Sequence, residues 1–273
     1  MRKLGNGAFG TTYLIRKESG DEYVLKVIDI VRARRKGMNI EILMEEINAL
    51  IELSSNPHCY PYIACYYEYR IIKFKGRDSL CILSEYINGP TLEEMINRMK
   101  SGLVGGKVLA MEAKQLWEYI YQLISAVNYI HKMGYAHRDI KPGNIMLDTM
   151  HNRMKLIDFG FACKTHCDEK VGTIYWMSPE LFSEQHIATL KSAQLHDIWS
   201  LGVALYELAN LKMPYNLSEA LTTTDIKIII EDTPIKSNYP DKHINTLINS
   251  MLTKFWKRRP TAQALLDYLE LSM

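Results

Sequence analysis

Along the first thirty residues β-branched and apolar side chains alternate with polar ones, and Thr11 to Ile15 and Tyr23 to Ile28 read as two strands joined by a turn at Ser19, Gly20 and Asp21. From Ile40 to Leu53 the period changes. Leu43, Ile47, Leu50 and Ile51 recur at helical spacing until Asn56 and Pro57 break the pattern. Apolar strands at about Ile63 to Ile72 and Leu80 to Ser84 complete a small antiparallel sheet. Asn88, Gly89 and Pro90 then form a turn signal where composition shifts, which divides the chain into residues 1–87 and 88–273. Past that point helices dominate. Trp117, Ile120, Tyr121, Ile124, Val127 and His131 share one face of a long helix, and Ile198 to Leu208 is apolar nearly all round, as a helix inside a lobe must be. Leu247, Ile248, Met251 and Leu252, then Ala264, Leu265 and Leu269, mark two more. The expected class is α+β: a small antiparallel β-sheet lobe with one helix, and a larger, mainly α-helical lobe.

Composition narrows the picture. A hydrophobic content of 47% is ample for a buried core, and the formal charge of +2 is spread over 33 basic and 31 acidic side chains, so no overall field draws the chain to nucleic acid or an anionic membrane. No apolar run reaches membrane-span length, and Met1 to Gly10 lacks the apolar core of a secretory leader. An intracellular, cytoplasmic protein is expected, with the nucleus as the alternative. The basic run Arg32, Arg34, Arg35, Lys36 reads as a solvated loop before the first helix. Cys59, Cys65, Cys81, Cys163 and Cys167 are odd in number and hold no CxxC, so reduced thiols without a disulfide are expected. Cys163, His166 and Cys167 lack the fourth ligand that a structural zinc site needs.

The chemistry concentrates in His137-Arg138-Asp139-Ile140-Lys141-Pro142-Gly143-Asn144 and, shortly after, Asp158-Phe159-Gly160. Asp139 is placed to take the proton of a hydroxyl, while Asn144 and Asp158 offer the hard oxygen ligands that Mg²⁺ prefers when it bridges phosphates. Either motif alone is weak. The two in this order and spacing read as the catalytic and metal loops of a protein kinase. Gly5-Asn6-Gly7-Ala8-Phe9-Gly10 sits between strands, where missing Cβ atoms let backbone N–H groups approach phosphate oxygens. A dinucleotide fold would need a helix after the last glycine; here a strand follows. Lys26 places an ammonium in an otherwise apolar strand and needs an anionic partner. Glu46, beside the Leu43, Ile47 and Leu50 stripe, is preferred to Glu45 for that part.

From Leu4 to about Leu271 the chain resembles eukaryotic-type protein kinases. Gly172-Thr173 and Ser178-Pro179-Glu180 resemble the end of the family's activation segment, with Ser178 replacing the usual Ala. Asp197-Ile198-Trp199-Ser200-Leu201-Gly202 resembles the buried-helix motif whose Asp holds the catalytic loop, and Arg259 looks like the Arg that pairs with Glu180. This peptide-docking portion sets the chain apart from small-molecule phosphotransferases. Lys141 and Thr173 are the family's marks of serine/threonine kinases, and Phe161 is associated with serine as acceptor. The stretches Gly172 to Glu180 and Arg258 to Ala262 look most like NIMA-related or related groups of kinases.

The resemblance implies the bilobal protein-kinase fold and a serine/threonine protein kinase dependent on ATP and Mg²⁺, with Mn²⁺ as an alternative ion. Its catalytic residues would be Asp139, Lys141, Lys26 and Glu46, and its metal ligands Asn144 and Asp158. Nucleotide would meet Gly5, Asn6, Gly7, Ala8, Phe9, Gly10, Thr12, Val24, Lys26, Ser84, Glu85, Ile87 and Met146. The implied partners are ATP and a protein with a Ser/Thr acceptor, with no nucleic acid, no membrane and a monomeric state. A pseudokinase scaffold, binding nucleotide and partners without turnover, is the alternative. Three departures bear on the nucleotide pocket: Thr12 replaces a usual Val, Val24 a usual Ala, and Ser84 a usually larger gatekeeper. Arg138 commonly pairs with a phosphorylated residue in the family. Here Glu169, beside Asp168, stands at that position, and Thr165 is the only hydroxyl between Phe161 and Gly172.

Overall fold

A computed structural model describes residues 1–6, 10–35, 40–55, 59–102, 111–165, 167, 170–186 and 188–272. The N-terminal lobe is built on strands β1 (Arg2–Asn6), β2 (Gly10–Arg16), β3 (Glu22–Asp29), β4 (Tyr66–Phe74) and β5 (Arg77–Glu85). All neighbours are antiparallel, in the order β1-β2-β3-β5-β4. Two helices accompany the sheet, α1 (Ile30–Arg35) and α2 (Ile40–Leu53). The second has the bounds expected from its period. The first was not expected: Arg32, Arg34 and Arg35 lie in α1 rather than in a loop, because Asp29 Oδ1 accepts the Arg32 N–H at 2.9 Å and starts a helical turn. Lys36 lies outside the described residues.

The strand expected from Ile63 begins at Tyr66 instead. Ile63 and Ala64 turn the other way, where Ala64 N–H donates to Leu156 O and Leu156 N–H to Tyr62 O, each at 2.9 Å. These bonds join the loop before β4 to a short hairpin in the second lobe, β6 (Ile145–Asp148) with β7 (Arg153–Leu156). Tyr60 stacks on Tyr129 with centroids 4.2 Å apart, and the Tyr129 hydroxyl donates to Leu53 O. Helix α2 is thereby anchored to the second lobe at its C-terminal end.

The larger lobe is helical: α3 (Leu92–Ser101), α4 (Ala113–Lys132), α5 (Leu190–Asn210), α6 (Thr223–Asp232), α7 (Lys242–Met251) and α8 (Ala262–Ser272). Tyr121 departs from the expected buried face of α4 and is exposed, while Tyr119 and Leu123 are fully buried beside Ile120 and Ile124. Helix α5 is enclosed by its neighbours, with every residue from Ile198 to Tyr206 buried. Gly202 makes this closeness sterically feasible, since a Cβ there would lie 2.9 Å from Met251 Cβ on α7. One hydrophobic cluster runs from Ile28 in β3 through α4 and α5 to Leu269 in α8. Among the described residues, no helix is long and apolar enough to cross a membrane.

Four of the five cysteines depart from the expectation of free thiols. Cys59 pairs with Cys65 and Cys163 with Cys167, leaving buried Cys81 free. Counting spacings could not reveal this, because the pairings depend on turns. The Cα atoms of Cys163 and Cys167 lie 5.5 Å apart, within disulfide reach.

The helical lobe is pinned by a buried ion pair. Arg259 meets Glu180 with two N–H···O bonds of 2.8 and 3.1 Å, donates to Leu195 O at 2.7 Å and to Thr253 O at 3.1 Å, and lies over the Trp199 ring. Burial would push the Glu180 carboxyl up, but the Arg259 charge and hydrogen bonds outweigh it and hold its pKa below the usual 4.5. Removing the cation strands a buried carboxylate. Arg259→Ala should therefore cost about 3–5 kcal/mol in urea unfolding at neutral pH. Because the folded pKa is depressed, the pair's contribution is complete above pH 4.5 and fades as pH falls through the folded value. The gap between wild type and variant should narrow on acidification, and a gap that stays constant from pH 7 to pH 4 would contradict the pairing.

Candidate active site

The site is organised around Asp197, fully buried on α5. Its carboxylate accepts the backbone N–H groups of His137 at 2.8 Å and Arg138 at 2.7 Å, and it contacts His131 Nε2 at 2.9 Å. Burial alone would raise the Asp197 pKa; the bond and charge of His131, with His137 and His196 nearby, outweigh that and lower it. Arg138 adopts φ = 66°, a left-handed conformation that costs a non-glycine residue about 1–2 kcal/mol, and the bonds to Asp197 hold it there. The Arg138 Nε donates to Phe161 O at 2.6 Å, joining the two loops that sequence had paired. Asp168 and Glu169, the anions expected beside Arg138, lie outside the described residues, as does His166.

Beyond that turn the chain presents Asp139. One carboxylate oxygen accepts from Lys141 Nζ at 2.8 Å and Asn144 Nδ2 at 2.9 Å, and the other from the Thr173 hydroxyl at 2.7 Å. Lys141 also donates to Thr173 Oγ1 at 2.7 Å. Asn144 Nδ2 donates to Asp139 O as well, so its amide nitrogen is committed and its Oδ1 is the atom available to a cation. Thr173 reaches Asp139 because Gly172, at φ = 118°, lets the segment run against Arg138, whose carbonyl oxygen would lie 2.6 Å from a Cβ at that glycine.

On the opposite wall Lys26 Nζ lies 2.6 Å from Glu46 Oε1 and 3.0 Å from Asp158 Oδ1. Glu46 is buried and Glu45 is not, as the helical stripe implied. Burial works against the Lys26 ammonium, yet the two carboxylates overcome it and raise its pKa well above the ordinary lysine value. The Asp158 carboxyl is held low, first by the Lys26 charge. Like Arg138, Asp158 is left-handed, at φ = 60°. Both loops thus carry a strained residue at their functional centre.

Between these walls lies a cavity of about 560 Å³. It gathers Gly5, Gly10, Thr12, Val24, Lys26, Ser84, Glu85, Ile87, Met146, Asn144 and Asp158 from the expected set. Asn6 is not among its lining residues; it accepts from the Thr11 hydroxyl and lines a separate cavity beside Tyr13 and Phe74. Gly7, Ala8 and Phe9 lie outside the described residues. Leu50, Ala64 and Phe159 line the cavity beside Ser84 without having been anticipated. Lys155 was also missed: its ammonium grips Glu85 at 2.6 and 2.8 Å, and Glu85 Oε2 accepts the Cys65 N–H at 3.0 Å. That side chain is consumed in bracing the link between the lobes, and the Glu85 N–H donates to Cys65 O at 2.8 Å. No local pattern signals Lys155, which lies 70 residues away.

Residues 1–269 match the protein kinase domain family. The chain is 33% identical over 275 residues to the serine/threonine-protein kinase Nek9 of Mus musculus, covering 98% of this chain and 25% of that protein. It is 34% identical over 273 residues to the probable serine/threonine-protein kinase nek2 of Dictyostelium discoideum, covering 97% and 60% respectively. With the human serine/threonine-protein kinase Nek11 the identity is 33% over 271 residues, covering 96% and 38%. The chain thus spans between a quarter and three-fifths of the length of these relatives. Its match across nearly every residue, on a β-sheet lobe and a helical lobe with a charged cleft between them, places it in one family: the chain belongs to the protein kinases.

Proposed function

We propose that this protein is a serine/threonine kinase that transfers the γ-phosphoryl group of ATP to a protein hydroxyl, with Mg²⁺ as its metal. The observation that carries the reading is the closed Lys26–Glu46 pair at 2.6 Å, in the same cleft as Asn144 and Asp158 and next to an Asp139 held by Lys141 and Thr173. We take residues 1–87 as the ATP-binding lobe and 88–273 as the catalytic and substrate-binding lobe. ATP is an intracellular substrate, so the reading places the protein inside the cell.

Each residue then has a task. Asp139 orients the acceptor hydroxyl and takes its proton as the oxygen attacks phosphorus and the bond to the departing ADP breaks. Lys141, held between Asp139 and Thr173, keeps a positive charge beside the transferred group. Lys26, fixed by Glu46, receives phosphate oxygens. Asn144 Oδ1 and the Asp158 carboxylate are oxygen donors that fit a divalent cation, which when bound would neutralise phosphate charge. The scaffold alternative would be favoured by loss of Lys26, Asp139, Asn144 or Asp158, and all four are present.

Lys26→Met and Asp158→Asn should each abolish detectable transfer from labelled ATP to a generic protein, with helical circular dichroism retained. Asp139→Asn should lower kcat by at least ~100-fold. Near wild-type turnover in any of the three would remove the proposed site.

Ser84 is small and lines the same cavity as Leu50, Ala64 and Phe159. Adenine analogues with bulky groups aimed past Ser84 should therefore inhibit the natural protein, and Ser84→Met should weaken them by roughly tenfold or more. Equal inhibition of both proteins would mean that the space behind Ser84 does not admit ligand.

A further inference from the structure

Strand β4 ends the five-stranded sheet, and among the described residues its outer edge lies next to no other strand. It is nine residues long, contains neither Pro nor Gly, and carries Tyr67 (49% exposed), Tyr69 (38%), Ile71 (66%) and Ile72 (46%). Natural edges are usually short, bulged along their length or studded with repelling charge, because an open row of backbone groups recruits another strand. Here the one irregularity falls at the start, between Tyr66 and Glu68, and the pairing with β5 is regular from Glu68 to Phe74. The charges along this edge change sign: Glu68 is followed two residues later by Arg70, whose Nε and guanidinium nitrogen reach Glu68 Oε2 at 3.1 and 2.9 Å. Both side chains are at least half exposed, so within one chain that ion pair contributes little.

We propose that the β4 edge is a self-association surface, on which a second copy of this chain pairs its own β4 antiparallel to form one continuous ten-stranded sheet. The occupant follows from charge complementarity under a two-fold axis. Centring the axis on Tyr69 sets Tyr69 against the partner's Tyr69 on one face. On the other face it sets Glu68 against the partner's Arg70, and Arg70 against the partner's Glu68. Exposed Tyr67 and Ile71 lie further out on either side. Aromatic and opposite-charge cross-strand pairs are the favourable ones, and like charges directly opposite are unfavourable. Moving the axis by one residue, to Glu68 or to Arg70, brings two like charges face to face. The same charges that would hold two copies apart in those registers select the one centred on Tyr69. This departs from the monomer that the sequence suggested, and it does not depend on the kinase activity.

Sedimentation velocity of the full chain from low to high micromolar concentration tests the proposal by charge swapping. The natural protein should show a concentration-dependent dimer. Glu68→Arg places two arginines against two, and Arg70→Glu places two glutamates against two, so each variant alone should be monomeric over that range. Mixed in equal amounts, the two variants become complementary and should sediment as a dimer, which also demonstrates that both remain folded. The double variant Glu68→Arg/Arg70→Glu should dimerise again by itself. A natural protein that stays monomeric throughout, a dimer indifferent to either single substitution, or single variants that fail to associate when mixed would each overturn the assignment.

Discussion

A carboxylate with no access to water is the element on which the site depends. Asp197 sits inside the helical lobe, where a bare charge would be strongly disfavoured, and it is made tolerable by the two backbone N–H groups and the imidazole aimed at it. The dependence is mutual. The N–H groups belong to His137 and Arg138, so satisfying the buried charge fixes the backbone immediately before Asp139 and holds Arg138 in a conformation that it would otherwise leave. Helix α5 can deliver the carboxylate to that depth because it is apolar over most of its circumference and packs tightly at Gly202. The position of the proposed base is thus settled by core packing two elements away.

The other wall is held differently. Lys26 is fixed by partners from distant parts of the chain, Glu46 on α2 and Asp158 after β7, so its geometry is a property of how the lobes meet. Several contacts hold that meeting: the Tyr60–Tyr129 stack, the Tyr129 bond to Leu53, the bonds between residues 62–64 and Leu156, and the grip of Lys155 on Glu85. Each of these touches α2, the residues that follow it or the link between the lobes. The Lys26–Glu46 distance is therefore sensitive to interlobe contacts in a way that the Asp197 network, internal to one lobe, is not.

Much of this was legible in sequence because the informative features were local. The all-round apolarity of Ile198 to Leu208 reflects that element's own burial, and the structure keeps it; the period from Ile40 to Leu53 gave the helix and the buried Ile47 and Leu50, although Ile51 of the same stripe is exposed. Glu46 could be chosen over Glu45 because an adjacent apolar stripe fixes which face turns inward. What stayed hidden depends on long-range closure. Lys155 meets Glu85 only after the β6–β7 hairpin folds against the linker, and Leu50 and Ala64 join the cavity only once α2 and the loop before β4 converge. The disulfides were missed for a related reason, since cysteine spacing does not show which thiols the fold brings within reach. Helix α1 was missed because a basic run looks like solvated loop until Asp29 is seen to start its first turn.

Two departures in the nucleotide pocket change its volume in opposite senses, Val24 standing for a usual Ala and Ser84 for a usually larger residue. The sheet register makes them neighbours: Val24 on β3 is the direct partner of Ser84 on β5, and both line the same cavity. Directly opposed residues in an antiparallel pair project to the same face with Cβ atoms about 5 Å apart. A change of volume at one of the two positions is therefore felt at the other. Cores tolerate substitutions that conserve total volume far better than those that add to it, overpacking alone costing about 1–3 kcal/mol. Considered as a pair, Val24 adds volume and Ser84 removes it, so the two departures together do not overfill the cleft that both line.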